Sequence, residues 1–198
     1  PVCNGYQHND SFPGSHPLAV GPLGYNGSKA AIQLISKADV VLALGTRLNP
    51  FSTLPGYGID YWPKDANIIQ VDMNPDRIGL TKKVTVGIAG DAKQVALQIL
   101  EKLSSNAGDN GREERKNLIH QTKSAWLQTL TSLDHEDDDP GTVWNKEARE
   151  RDKDRMSPRQ AWRAIQAAMP EDAIISSDIG NNCAVGNAYP MFEKPRKY

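Results

Sequence analysis

The run Ala38-Asp-Val-Val-Leu-Ala-Leu-Gly-Thr-Arg47 constrains the fold of this chain more than any other segment. It is apolar without alternation and closes on Gly45, the pattern of a strand buried on both faces in a parallel sheet. Asn67-Ile-Ile-Gln-Val-Asp72 repeats the pattern and ends on a carboxylate. Directly before the first run, residues 28–37 place Ala31, Ile32, Leu34 and Ile35 on one broad face, which predicts an amphipathic helix entering the strand. Helix and strand at this spacing form part of a βαβ unit with a right-handed connection. The expected class is therefore α/β, with any site at the carboxyl ends of the strands.

The flanking segments extend this layer. Residues 12–27 (Phe12 to Gly27) are punctuated by Pro13, Gly14, Pro17, Gly21, Pro22, Gly24 and Gly27 and lead into the helix, with no strand evident immediately before it. Residues 49–65 read as a long loop holding Phe51, Tyr57, Tyr61 and Trp62, aromatics that either pack on a neighbouring element or line a ligand pocket. Pro75 follows Asn74 at the first position of a helical turn, residues 84–88 read as a short strand, and Asp91 caps a helix to Leu103 with Val95, Ile99, Leu100 and Leu103 as its apolar stripe. Residues 104–111 are the clearest linker. A polar helix is predicted from Arg112 to Leu133, with Leu118, Trp126, Leu127 and Leu130 making its contacts. The acidic block around Asp137, Asp138 and Asp139 and the charge run of residues 146–155 read as solvated surface. Ser157-Pro158 opens another helix with Ala161, Ile165 and Ala168 inward. Residues 173–177 then read as a strand stopping at Asp178-Ile-Gly180. Because Pro1-Val-Cys-Asn4 reads as part of a strand and the last helix, strand and loop cannot make a core of their own, the chain is expected to be a fragment.

Charge excludes some partners. With 23 basic against 24 acidic side chains, the net charge of -1 supplies no field for nucleic acid or an anionic membrane. No apolar stretch approaches the roughly 18 residues of a transmembrane helix. Cys3 and Cys183 have no companions at metal spacing and read as two reduced thiols of a cytoplasmic protein. Cys183 has no identifiable base to make it a nucleophile, and His16, between Ser15 and Pro17, reads as a loop residue bonded to backbone rather than as a base paired with His8. Two ligand sites remain open. Gly45, Arg47 and Asp72 stand at strand ends in the manner of a nucleotide site, Arg47 having a fork suited to phosphate, although Gly21, Gly24 and Gly27 depart from the dinucleotide spacing. The loop from Asp178 to Asn182 opens at a strand end and presents Gly180 with the amides of Asn181 and Asn182.

These same segments carry a family resemblance. Phe12-Pro-Gly-Ser-His-Pro-Leu18, Gly21-Pro-Leu-Gly-Tyr-Asn-Gly27, Ala38-Asp39, Gly45-Thr-Arg47, Val71-Asp72, Pro75, Ile78 and Gly90-Asp91 resemble the central domain of thiamine-diphosphate enzymes of the acetolactate synthase and pyruvate oxidase type. The blocks Asn4 to Asp10 and Leu48 to Trp62 are more particular, and resemble one acetyl-transferring branch of that family. The resemblance implies a Rossmann-like parallel layer in residues 1–104, a linker with a polar helix in 105–155, and the start of a diphosphate-binding domain in 156–198. It also implies a pyrimidine-binding domain carrying the activating glutamate, and magnesium ligands, all outside this chain, so that the chain alone is inactive. In such enzymes the ylid of thiamine diphosphate, held with Mg2+, carries the covalent chemistry while protein supplies geometry and charge. For the branch, the implied reaction takes a small sulfonate substrate and phosphate to acetyl phosphate and sulfite, in a cytoplasmic homodimer or homotetramer. Asp178, Gly180, Asn181 and Asn182 match the loop at the cofactor end. Arg47 and Asp72 match the region that holds FAD or another adenine nucleotide such as ADP in some members, a pocket implied to be empty or vestigial here.

Overall fold

The computed structural model describes residues 1–24, 26–103, 111–132, 156, 158–178 and 180–198. The predicted linker of residues 104–111 (apart from Gly111), the acidic block, the charge run, Ser157 and Ile179 lie outside the described residues, as does the side chain of Asn182.

Two parallel sheets form the layer. Strands β1 (Val2–Asn4) and β2 (Ala19–Pro22) make one pair, and β3 (Val40–Leu44), β4 (Asn67–Asp72) and β5 (Val86–Ala89) make the other in that spatial order. In the second sheet Leu42 lies opposite Ile69 and Ile69 opposite Val86. β2 is a strand that the sequence reading left out, because Gly21 and Pro22 obscure its apolar character. It leads through a tight turn into α1 (Lys29–Ile35), capped by Ser28, whose Oγ accepts the Ala31 N–H at 3.3 Å.

Helix α1 occupies the centre of the main core. Ala31, Ile32, Leu34 and Ile35 pack with Val20, Leu23, Tyr61 and Ile119, the last supplied by the polar helix α4 (Arg112–Ser132). Ala43, Leu48 and Ile68 form a second cluster on one face of β3 and β4, closed by Val41, Trp62 and Val84. A short helix α2 (Pro50–Thr53) and the turn Pro75–Arg77 carry the chain between strands. Helix α3 (Ala92–Lys102) starts at Asp91, whose carboxylate accepts the Gln94 N–H at 2.9 Å. Helices α5 (Pro158–Ala168) and α6 (Asn181–Ala188) follow.

Several expectations require correction. The strand β3 is not buried on both faces: Val40 is 52% exposed, Leu42 43% and Leu44 40%. These alternate residues share one face of the sheet, which is left partly open to solvent. The stripe on α3 is narrower than predicted. Val95 and Ile99 are half-buried, whereas Leu100 and Leu103 stand in solvent. Leu118 and Leu127 of α4 and Ile165 and Ala168 of α5 are likewise exposed, and α5 turns Trp162 and Gln166 inward beside the expected Ala161. Residues 173–177 form no strand, since a strand needs a ladder partner and this segment's backbone bonds are a local turn, Ala173 N–H to the Pro170 carbonyl at 3.0 Å, and a single cross-chain bond, Ile175 N–H to the Lys197 carbonyl at 2.8 Å.

Candidate functional site

The strand ends come together as predicted, but their side chains are engaged locally. The Gly45 N–H donates to the Val71 carbonyl at 2.9 Å, joining the end of β3 to β4. Asp72 is buried, and its Oδ1 accepts the Asn74 N–H at 2.9 Å, so the carboxylate builds the turn into Pro75–Arg77. Arg47 is exposed. Between them stands Gln70, which sequence reasoning missed. This wholly buried side chain donates from Nε2 to the carbonyls of Thr46 (3.1 Å) and Arg77 (3.3 Å) and accepts the Gly79 N–H at Oε1 (2.8 Å). A single amide in an otherwise apolar strand was the available signal, because a buried polar side chain persists only where its hydrogen bonds are met.

The second candidate group is arranged differently from its sequence picture. Asn181 and Asn182 belong to the first turn of α6, and only Asp178 and Gly180 precede it. Gly180 takes the N-cap position at φ 107°, where no side chain caps the helix. A Cβ at that point would meet nothing within 4 Å. The first amides of a helix have no intrahelical partner and carry partial positive charge, so an uncapped, open amino end is receptive to an anion.

Neighbouring groups limit what else this end can do. Cys183, one turn into α6, has Tyr6 Oη at 3.5 Å and accepts from Gln7 Nε2 at 2.9 Å. Cys183 thus has one phenol and one amide as side-chain neighbours. His16 Nδ1 accepts the Leu18 N–H at 3.1 Å, the backbone role expected of it. Both cysteines are free thiols.

The aromatic loop packs. Tyr61 is buried and donates to the Ser52 carbonyl at 2.9 Å, Trp62 closes the second cluster under Lys82 (5.2 Å), and Tyr57 meets Trp126 edge to face at 5.6 Å. Phe51 and Tyr57 are nonetheless largely exposed, Phe51 being stacked on Tyr6 at 5.6 Å. Tyr57 and Trp126 also line, with Leu130, Val185 and Tyr189, a cleft of about 250 Å3 between α4 and α6.

The parallel strands and flanking helices make a Rossmann-like α/β layer, and residues 1–102 match the family described as thiamine pyrophosphate enzyme, central domain. The chain belongs to that family. Within it, the whole chain is 80% identical to the probable sulfoacetaldehyde acetyltransferase of Rhizobium meliloti (strain 1021), of which it covers 34%. It is 76% identical, again over its full length, to the sulfoacetaldehyde acetyltransferase of Roseovarius nubinhibens, covering 33% of that protein. The acetolactate synthase large subunit of Corynebacterium glutamicum is 26% identical over the whole chain, which covers 28% of it. The chain spans about a third of the length of the curated acetyltransferases it matches.

Proposed function

We propose that this chain is the later central layer, linker and opening of the diphosphate-binding domain of a thiamine-diphosphate-dependent acyltransferase. The enzyme converts sulfoacetaldehyde and phosphate to acetyl phosphate and sulfite, as a cytoplasmic homodimer or homotetramer. The observation that carries this reading is the identity pattern: 80% and 76% over the full chain to the two acetyltransferases against 26% to the acetolactate synthase. The blocks Asn4 to Asp10 and Leu48 to Trp62 had already resembled the same branch.

The residues present fit the cofactor at one place. Gly180 leaves open space at an uncapped helix end, so the amides of Gly180, Asn181 and Asn182 would hold a diphosphate oxygen, with Asp178 beside them. Thiamine diphosphate, bound with Mg2+, supplies the carbanion equivalent that this acyl chemistry needs. The chain's own part is to hold and orient the anionic end. The activating glutamate and the metal ligands come from other domains, and this chain alone has no turnover. At the strand ends the fit to FAD or ADP is poorer. Arg47 is exposed and could meet a phosphate, but the Asp72 carboxylate already accepts the Asn74 N–H, so we assign that region to scaffolding.

The test uses the longer polypeptide that contains this chain. Supplied with thiamine diphosphate, magnesium, sulfoacetaldehyde and phosphate, it is expected to release sulfite and form acetyl phosphate. Turnover of pyruvate without sulfite release would instead make it an acetolactate synthase-like enzyme.

A further inference from the structure

The block Asn4-Gly-Tyr-Gln-His-Asn-Asp10 takes no part in the reaction just described, yet its polar groups converge on the far end of the chain. The Gln7 N–H donates to Asn187 Oδ1 at 2.7 Å and Gln7 Nε2 donates to Cys183 Sγ at 2.9 Å. Asn9 Nδ2 donates to the Asn187 carbonyl at 2.5 Å, while the Asn9 carbonyl is held by Asn4 Nδ2 at 3.0 Å. Asp10 Oδ2 accepts the N–H groups of Lys197 (2.7 Å) and Tyr198 (3.3 Å). Asn9, Asp10 and Asn187 are all buried, and the two Asn9 bonds are shielded from water, whereas the Gln7 Nε2 bond to Cys183 is exposed.

Two features set this contact apart from general packing. Cys183 and Asn187 lie one turn apart on the same face of α6, so Gln7 grips the helix at two heights and fixes both its rotation and its axial position. Gln7 does so from φ 62°, a left-handed conformation that a residue with a Cβ adopts at a cost. An eight-residue helix has little stability of its own and takes its orientation from such partners.

We propose that Gln7 and Asn187 are positioning residues that clamp α6 so that its open Gly180–Asn181 end is aimed at the anionic group of the cofactor. This rests on the reading that this end holds the diphosphate. Gln7 thereby gives the Asn4 to Asp10 block a function: it registers the diphosphate-binding element against the central layer.

The experiment compares Asn187→Ala, Gln7→Ala and Asn187→Asp in the longer enzyme by two readouts. One is the thiamine diphosphate concentration that half-restores activity to the cofactor-stripped protein, measured with turnover at saturation. The other is the alkylation rate of the Cys183 peptide by iodoacetamide. Loss of one buried hydrogen bond predicts that Asn187→Ala raises half-saturation about tenfold, with a smaller fall in turnover, and speeds Cys183 labelling several-fold. Gln7→Ala, a substitution at an exposed side chain that leaves the core untouched, is expected to move both readouts in the same direction. Asn187→Asp keeps an oxygen acceptor for the Gln7 N–H but sets a carboxylate at a wholly buried position, and is expected to raise half-saturation at least as far as Asn187→Ala. Faster Cys183 labelling in the alanine variants with unchanged half-saturation would overturn the positioning role and leave a purely structural contact. A wild-type enzyme that takes up no thiamine diphosphate would overturn the reading of the helix end, and this role with it.

Discussion

Cys3 and Tyr61 pack in the same core cluster around α1, and burial pushes both ionisations up, the thiol from 9.0 to about 12 and the phenol from 10.0 to about 12. The unfolded chain therefore loses these protons first as pH rises. Stability from the two groups is complete below about 9 and drains away as pH climbs toward 12. Urea midpoints followed by tryptophan fluorescence are expected to be flat with respect to these groups from pH 7 to 8 and to fall above 9, with Cys3→Ala removing part of that fall. The same contrast between burial and exposure explains which single residues could be read in advance. His16 was legible because its place between Ser15 and Pro17 favours a local backbone bond, and its Nδ1 accepts the Leu18 N–H. Gln70 was missed because its partners, Thr46, Arg77 and Gly79, come from two loops that only the folded sheet brings together.

At the scale of elements, the turn from β2 into α1 is the least replaceable joint. Gly24 has φ 90°, and a Cβ there would overlap the Phe51 carbonyl oxygen at the start of α2. Gly24→Ala is expected to cost about 3 kcal/mol or more, since both strain and a backbone clash oppose it, and a shift in the urea midpoint would measure the loss. An unshifted midpoint would mean that α2 can move away without consequence. Elements whose signals are local were legible: α1 and α3 from their periodicity and caps, β3 and β4 from their apolar runs. Elements that depend on distant partners were not. β2 needs β1 to be a strand, residues 173–177 have no ladder partner among the described residues, and α6 carries Gly186 and a mixed face that gave no helical signal. The candidate site divides along the same line, with the strand ends legible and the helix that presents Asn181 visible only in the fold.

For the molecule as a whole, the uncovered face of β3 is the main departure from a finished α/β layer. Val40, Leu42, Leu44 and, across the sheet, Val86 expose a continuous apolar surface where parallel sheets are normally covered on both faces. The chain prepared by itself is expected to bind a hydrophobic dye such as anilinonaphthalene sulfonate, and Leu42→Lys is expected to weaken that fluorescence several-fold. Undiminished dye binding in the variant would place the accessible surface elsewhere, on Leu97 or Leu100 of α3. The clamp between Gln7 and α6 bears on how such a chain assembles. Its bonds join groups separated by 176 to 180 positions, whereas β3 and β4 pair across a far shorter span. Closing so long a loop carries an entropic cost on the order of 4–5 kcal/mol if the intervening chain is slack, but little once the sheet and α1 have already drawn Gln7 into place. Helix α6 is thus expected to dock last and depart first, its seating loosening while the layer beneath it stays folded.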